Sequence, residues 1–186
     1  IATGGFSPNK AGNLTTARVE MSTVEDAHNH KVIPRAVHEA GGRIVLQVLH
    51  SGRYGYHPDI VAPSAVRSPI NRDEPRALSA GEIEQTIKDY ARAAELAREA
   101  GYDGVEVMGS EGYLITEFLS PRTNLRDDEW GGDFDNRMRF AVEVLRRVRA
   151  RAGDDFLIVF RISALDLVDG GMTGAETQAL AQAVEA

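Results

Sequence analysis

Two polar side chains lie inside apolar runs of the sequence, where an unpartnered polar group destabilises the fold. Gln47 stands in the middle of the run Leu46–Leu49, and Arg161 directly follows the run Leu157–Phe160. Burying an amide without partners costs about 1–3 kcal/mol, and a buried guanidinium needs an anion. Both positions therefore predict either a partner within the protein or a contact with a bound ligand.

The possible partners differ for the two side chains. Gln47 can bond to neighbouring side chains or water, or it can contact the edge of a flavin or nucleobase, which an amide matches as donor and acceptor. Arg161 can form an ion pair with Glu106 on the preceding strand, or it can face an electron-rich ligand such as the N1/O2 side of a reduced flavin. The residues alone leave these alternatives open, and for Arg161 both can hold together.

Three further residues are candidates for chemistry. Tyr113 follows a predicted strand end, where a tyrosine can act as a general acid or simply pack at the rim. Arg122 can bind an anionic substrate or be an ordinary solvated arginine, and Gly5 allows a planar ligand to approach the backbone closely. The five histidines show no zinc-site spacing, and the sequence has no cysteine, so we expect no metal site in this stretch.

Four predicted strands, each followed by a helix or a long loop, must position these residues. The strands are 1–5, 44–50, 104–108 and 156–162, and the helices are 32–40, 79–101, one around 138–148 and one beginning at 173. This alternation predicts a parallel sheet with right-handed crossovers. Long polar loops follow the second and third strands, as on the catalytic face of a (β/α)8 barrel, whereas no G-x-G-x-x-G follows a strand, which disfavours a doubly wound sheet. The predicted fold class is therefore α/β, a partial TIM (β/α)8 barrel with about its second to fifth strands.

Composition narrows the class of protein further. The chain has 186 residues, 42% of them hydrophobic, and a net charge of -7 that is spread along the sequence. Without a basic stripe we expect no nucleic-acid partner, and without a run of about 18 apolar residues we expect no membrane span. A cytoplasmic location is the default expectation. Both ends fall inside structural patterns, so we expect a piece of a longer chain, truncated at both ends.

Several long segments of the chain resemble the old yellow enzyme superfamily of flavin enzymes. They are 46–53, 94–107 and 112–121, together with Asn124, Arg126, Gly131, Gly132, Asn136, Arg137, Arg139 and Phe140. The resemblance covers nearly the whole chain, so residues 1–186 are expected to form part of one FMN-binding barrel domain. It implies that Gln47 and Arg161 contact FMN, that Gly5 makes a backbone contact to the flavin, and that Arg122 contacts substrate.

One departure from the superfamily pattern points to a particular branch. The familiar enone reductases carry two histidines, or a histidine and an asparagine, at the positions of Met108 and Glu111, where they grip a substrate oxygen. Met108 cannot do this, and the segment from Met108 to Tyr113 instead resembles the NADPH-dependent 2,4-dienoyl-CoA reductases. That resemblance implies that Tyr113 supplies the proton, assisted by a histidine on a later strand.

The same resemblance implies the rest of the reaction. NADPH reduces FAD in a C-terminal domain, electrons pass through a 4Fe-4S cluster to FMN, and flavin N5 delivers a hydride to the 2,4-dienoyl-CoA substrate. The rest of the same polypeptide completes the barrel, and this stretch alone is expected to bind FMN poorly and to be inactive. Two alternatives stay open: an old yellow enzyme-type reductase of other enones or amine-type substrates, and a cofactor-free barrel scaffold in which Arg161 pairs with Glu106.

Overall fold

A computed structural model describes residues 1–185, and a four-stranded parallel sheet forms its centre. The strands are β1 (Ala2–Phe6), β2 (Val45–Val48), β3 (Val61–Ala62), β4 (Arg76–Ala77), β5 (Gly104–Gly109) and β6 (Leu157–Ile162). The main sheet has the order β1-β2-β5-β6, and the two-residue strands β3 and β4 pair separately. Each main strand therefore lies beside the next main strand in the chain. A barrel has this order, whereas a doubly wound sheet reverses direction at a switch point.

Helices connect the strands and begin and end at local sequence signals. They are α1 (Val24–His30), α2 (Val32–Glu39), α3 (Ala80–Ala100), α4 (Leu114–Leu119), α5 (Phe134–Ala152) and α6 (Gly174–Glu185). The predicted start of α3 is confirmed by a capping box in which Ser79 and Glu82 each accept a hydrogen bond from the other's backbone N–H. The helix ends at Gly101, whose φ of 97° lies in the left-handed region that favours glycine.

The hydrophobic core lies between the sheet and the outer helices. Val105 and Val107 of β5 are fully buried on this side of the sheet. On α3, Ile83, Ile87 and Tyr90 follow one another at spacings of four and three residues, so they share one face and are buried in the same cluster. This packing holds the four main strands, and therefore the loops at their carboxyl ends, in a fixed arrangement.

The opposite, inner face of the sheet is open within residues 1–185. On β6, Leu157 and Val159 are 54% and 38% exposed, although both are large and apolar. The continuous apolar run of the second strand predicts burial on both faces, and this prediction is wrong for β2. Leu46 and Val48 are buried, whereas Val45 and Gln47 on the inner face are only half-buried. In a closed barrel this face would be interior.

All four predicted main strands and the four predicted helices are present in the structure. The structure also contains elements that the sequence patterns do not predict: α1, α4, the β3–β4 pair and two 3-10 turns, Lys10–Gly12 and Gly52–Tyr54. Within the described part of the chain, no helix combines the length and apolar character that crossing a membrane requires.

Candidate active site

The strand register brings polar residues together on the inner face of the sheet. Gly5 on β1 lies opposite Gln47 on β2, and Gln47 lies opposite Glu106 on β5. Two residues after Glu106, Met108 on β5 lies opposite Arg161 on β6. Because side chains alternate along a strand, these positions share one face. Gln47 and Arg161, the two polar residues found in apolar runs of the sequence, therefore lie on either side of Glu106.

Glu106 bonds loosely to both neighbours. Its Oε1 accepts from Gln47 Nε2 at 3.4 Å and from Arg161 Nη1 at 3.5 Å. Arg161 Nη2 also lies 3.1 Å from Glu111 Oε1. The prediction of a buried guanidinium is wrong, because the Arg161 side chain is 52% exposed on the open side of β6. The ion-pair alternative is thus present, while long bonds and exposure leave N–H groups of Gln47 and Arg161 available to a ligand.

Tyr113 lies directly before α4, at the carboxyl end of β5. Its half-buried ring meets the ring of Tyr54 edge to face, with the centroids 6.1 Å apart and the planes at 84°. Burial raises the pKa of the Tyr113 phenol above its usual value, and the nearby groups Glu111 and Tyr54 raise it further. The phenol therefore stays protonated through neutral pH, which a proton donor requires.

Glu111 adopts an unusual backbone conformation beside Tyr113. Its φ is 66°, in the left-handed region that residues other than glycine rarely occupy. Its backbone N–H donates to Ser163 Oγ at 3.1 Å, which ties this turn to the segment after β6. The Glu111 carboxylate thus contacts Arg161 and lies near enough to Tyr113 to raise the pKa of its phenol.

Gly5, Gln47 and Tyr113 line one cleft of about 410 Å³, together with Met108 and Glu111. Loop residues between Ser7 and Val19 form its other wall. A Cβ atom at Gly5 would lie only 2.9 Å from the Cβ of Leu49. A side chain at Gly5 would therefore clash with Leu49, and the close packing at this end of the cleft requires glycine.

Arg122 lies in a neighbouring cleft of about 380 Å³, which Arg53, Tyr54 and Glu117 also line. Arg122 Nη1 donates to the carbonyl of Asp169 at 2.6 Å, and the side chain is exposed. Glu111 lines both clefts. The structure thus brings three of the five predicted site residues into one cleft, with Arg161 beside them and Arg122 further away.

Sequence reasoning missed Glu117, which lines the second cleft and is 1% exposed. Burial raises the pKa of its carboxyl to about 8, only partly offset by the nearby Arg53. The signal was available, because Glu117 interrupts the run Leu114–Leu119 as Gln47 interrupts its strand. His50 is also fully buried, and desolvation holds its pKa at about 3, so the ring is neutral. Residues 1–185 contain no cluster of three side chains able to hold a metal ion.

Comparison with known proteins identifies relatives over the whole chain. The NADH:flavin oxidoreductase / NADH oxidase family matches residues 1–186. An N,N-dimethylglycine/sarcosine dehydrogenase of Chromohalobacter salexigens is 38% identical over 185 residues, which are 96% of this chain and 27% of that protein. An NADH oxidase of Thermoanaerobacter brockii is 42% identical over 160 residues, which are 82% of this chain and 24% of that protein.

A solved structure has the same fold as this chain. The complex of 2-naphthoyl-CoA reductase with 2-naphthoyl-CoA superposes with a TM-score of 0.93 at 32% identity, covering 99% of this chain and 30% of that one. The chain thus spans less than a third of the length of these relatives. The structural match confirms the predicted fold class, a partial (β/α)8 barrel. On the family match over its whole length, the chain belongs to the NADH:flavin oxidoreductase / NADH oxidase family, within the old yellow enzyme superfamily.

Proposed function

We propose that the protein containing this chain is an FMN-dependent ene-reductase that reduces 2,4-dienoyl-CoA thioesters with electrons from NADPH. The observation that carries the proposal is the shared cleft of Gly5, Gln47 and Tyr113, next to the guanidinium of Arg161. The cleft lies at the carboxyl ends of parallel strands, where barrel enzymes carry their active sites. It combines polar groups for a flavin ring with a protonated phenol.

The chemistry of these side chains fits an isoalloxazine ring. The amide of Gln47 offers a donor and an acceptor, and its bond to Glu106 is long at 3.4 Å. The half-exposed guanidinium of Arg161 offers positive charge and N–H donors to the electron-rich side of the ring. Gly5 lines the same cleft without a side chain, so a planar group can approach its backbone. Gln47, Arg161 and the backbone at Gly5 are therefore the residues proposed to hold FMN.

Reduced FMN, when bound, supplies the hydride. Tyr113 donates the matching proton from its phenol oxygen, so that one hydride and one proton add across the conjugated diene. The raised pKa of Tyr113 keeps this proton in place until the substrate arrives. Met108 offers no hydrogen bond to a substrate oxygen, so the thioester carbonyl must be bound by other groups.

Two observations support a CoA thioester as the substrate class. The solved complex with a TM-score of 0.93 is that of a CoA-ester reductase with its ligand. Arg122, at the mouth of the neighbouring cleft, carries a positive charge that suits the anionic part of such a substrate. We propose Arg122 as a substrate contact on these grounds.

The finer parts of the proposal concern the rest of the polypeptide. Large apolar side chains on β6 are exposed, which fits a barrel that further strands of the same chain complete. We propose that residues 1–186 belong to one FMN-binding barrel domain and that FAD, a 4Fe-4S cluster and the NADPH site lie in other parts of the protein. The cytoplasmic location stays a prediction.

A second candidate is an old yellow enzyme-type enzyme acting on amine-type substrates or other enones. The observation that favours it is the 38% identity to an N,N-dimethylglycine/sarcosine dehydrogenase. An amine substrate would reduce the oxidised flavin, whereas a dienoyl thioester oxidises the reduced flavin. An amine substrate therefore predicts the opposite direction of flavin chemistry, whereas other enones predict the same direction and differ from the thioester only in relative rate.

The test uses the full-length, FMN-loaded protein under anaerobic conditions. We expect 2,4-hexadienoyl-CoA to reoxidise the photoreduced flavin, with cyclohexenone slower, and sarcosine to leave the oxidised flavin unchanged. Tyr113→Phe should slow reoxidation by about 10²–10⁴-fold while the flavin spectrum stays the same. Reduction of the flavin by sarcosine, without reoxidation by the dienoyl thioester, would contradict the proposal in favour of the second candidate.

A further inference from the structure

A buried carboxyl with no role in the proposed reaction lies below the second cleft. Glu117 on α4 is 1% exposed, and its Oε1 accepts a hydrogen bond from the backbone N–H of Arg53 at 2.9 Å. Its Oε2 is buried and has no hydrogen-bond partner in residues 1–185. Leaving such a group unsatisfied destabilises a fold, so its presence calls for a reason beyond packing.

The Glu117 carboxyl anchors the short turn Gly52–Tyr54. Gly52 has a φ of 58°, and a Cβ atom there would lie 2.6 Å from the carboxyl carbon of Glu117. Only glycine fits both the backbone conformation and this contact. The turn is therefore fixed to α4 by one hydrogen bond and one close approach of its backbone to the same carboxyl.

The anchored turn places Tyr54 beside Tyr113, the proposed proton donor. A Cβ atom at Gly112 would lie 2.6 Å from Cε2 of Tyr54, so the ring packs tightly on the backbone just before Tyr113. The Tyr54 and Tyr113 rings meet edge to face at 6.1 Å. The backbone N–H of Leu114 also donates to the carbonyl of His50 at 3.1 Å, beside the same turn. A continuous series of contacts thus joins the Glu117 carboxyl to the Tyr113 ring.

We propose that Glu117 is a positioning residue, which sets the orientation of the Tyr113 phenol through the Gly52–Tyr54 turn and the ring of Tyr54. The proposal rests on the proposed role of Tyr113 as proton donor. The titratable groups facing Glu117 are Arg53 from the turn and Tyr90 from α3. Burial raises the pKa of Glu117 to about 8, so at neutral pH it is mainly an uncharged hydrogen-bonding group that glutamine can replace.

The test measures single-turnover reoxidation of the reduced full-length protein by saturating 2,4-hexadienoyl-CoA. We expect Glu117→Ala to slow this step by about 10–100-fold, since small misplacement of a reacting group has effects of this size. Glu117→Gln should retain the rate within about threefold, because the amide oxygen can still accept from Arg53. Glu74→Gln, on an exposed loop, is the matched control and should leave the rate unchanged.

A double-mutant cycle separates positioning from a general loss of structure. In a Tyr113→Phe background, Glu117→Ala should have almost no further effect on the rate, because the group it orients is gone. If Glu117→Ala slows the reaction equally in both backgrounds, the positioning role is overturned while the proposed function stands. If Tyr113→Phe itself has no effect, both fall together.

A second variant covers the case in which Glu117→Ala does not fold. Tyr54→Leu changes a half-buried ring at the far end of the same series of contacts. It should slow reoxidation by about tenfold and show the same loss of effect in the Tyr113→Phe background. An unchanged rate in Tyr54→Leu would overturn the proposal.

Discussion

At the residue scale, the environment of Tyr113 is the main determinant of the proposed chemistry. Burial, the carboxylate of Glu111 and the neighbouring Tyr54 all raise the pKa of the phenol. A raised tyrosine pKa keeps the donor protonated at neutral pH, and the donor is lost only as the pH rises through that pKa. Proton donation should therefore fail on the alkaline side alone.

Replacing Glu111 tests this electrostatic account. In Glu111→Gln a negative charge near the phenol is removed, so the pKa of Tyr113 falls toward its usual value. The alkaline limb of the reoxidation rate should then move to lower pH than in the wild type, as measured by stopped-flow pH jumps. A limb at unchanged or higher pH would contradict the assignment of that limb to Tyr113.

The buried Glu117 predicts a pH dependence of stability. Its carboxyl ionises near 4.5 in an unfolded chain and near 8 in the fold, so between these values folding must take up a proton. The wild type should therefore lose stability as the pH rises through this window, and Glu117→Gln should lose less. Thermal unfolding of both proteins at the two ends of the window measures this, and identical changes in Tm would contradict it.

One rule, a polar residue in an apolar run, located Gln47 and Arg161 from the sequence. The register that sets Glu106 between them could not be read from the sequence, because pairing depends on how neighbouring strands align. The half-exposed state of Arg161 also escaped prediction, since exposure depends on what covers β6. Glu117 obeys the same rule, but it lies on the six-residue helix α4, whose sequence cannot be distinguished from that of a loop.

At the element scale, packing of α3 against α5 supports the strands that carry the site. Phe140 on α5 is fully buried and stacks on Phe118 of α4, with ring centroids 4.2 Å apart and planes at 19°. The ring of Tyr90 on α3 meets the Phe140 ring edge to face, with the centroids 6.4 Å apart. Three helices thus converge on one aromatic side chain beneath the site.

Truncating this side chain should destabilise the barrel strongly. Phe140→Ala leaves a cavity among three helices and should cost about 3–5 kcal/mol of unfolding free energy. Arg146→Ala on the same helix breaks only an exposed pair with Glu143 and should cost less than about 1 kcal/mol. Denaturant unfolding of the full-length variants provides the measurement, and similar midpoints for the two would contradict this description of the core.

Elements with strong local signals were the ones predicted correctly. Helix α3 has a capping box, a regular apolar face and a terminal glycine, so its bounds followed from the sequence. Helix α4 has six residues, too few for periodicity to appear. Helix α1 has a capping box with Asp26 at the third helical position, where the usual sequence signal is Glu or Gln, so its start is not evident from the sequence.

At the scale of the whole molecule, the main feature is the exposed apolar surface on the inner face of the sheet and in the segment after β6. Leu157 and Val159 face solvent there, and Leu165, Leu167 and Val168 are exposed in the segment after β6. Exposed apolar areas of this kind mark surfaces that contact a partner, a ligand or another part of the same protein. The proposed completion of the barrel would cover it.

Residues 1–186 on their own should therefore self-associate and bind FMN weakly. Within residues 1–185, β1 and β6 each have an unpaired edge, and these edges and the apolar inner face favour self-association. We expect oligomers or aggregates in gel filtration and little FMN bound after dialysis against excess flavin. A monomeric, stoichiometrically yellow preparation would contradict this expectation.

The central claim is that Gln47 and Arg161 occupy the inner face because a flavin ring lies against them. The most direct measurement is FMN affinity of the full-length apoprotein, by fluorescence titration, for wild type, Gln47→Leu, Arg161→Leu and the exposed control Arg43→Leu. Losing a hydrogen bond or charge contact to the ring should raise Kd about tenfold or more for the two inner-face variants, and the control should be unchanged. Wild-type affinity in both inner-face variants would contradict the account.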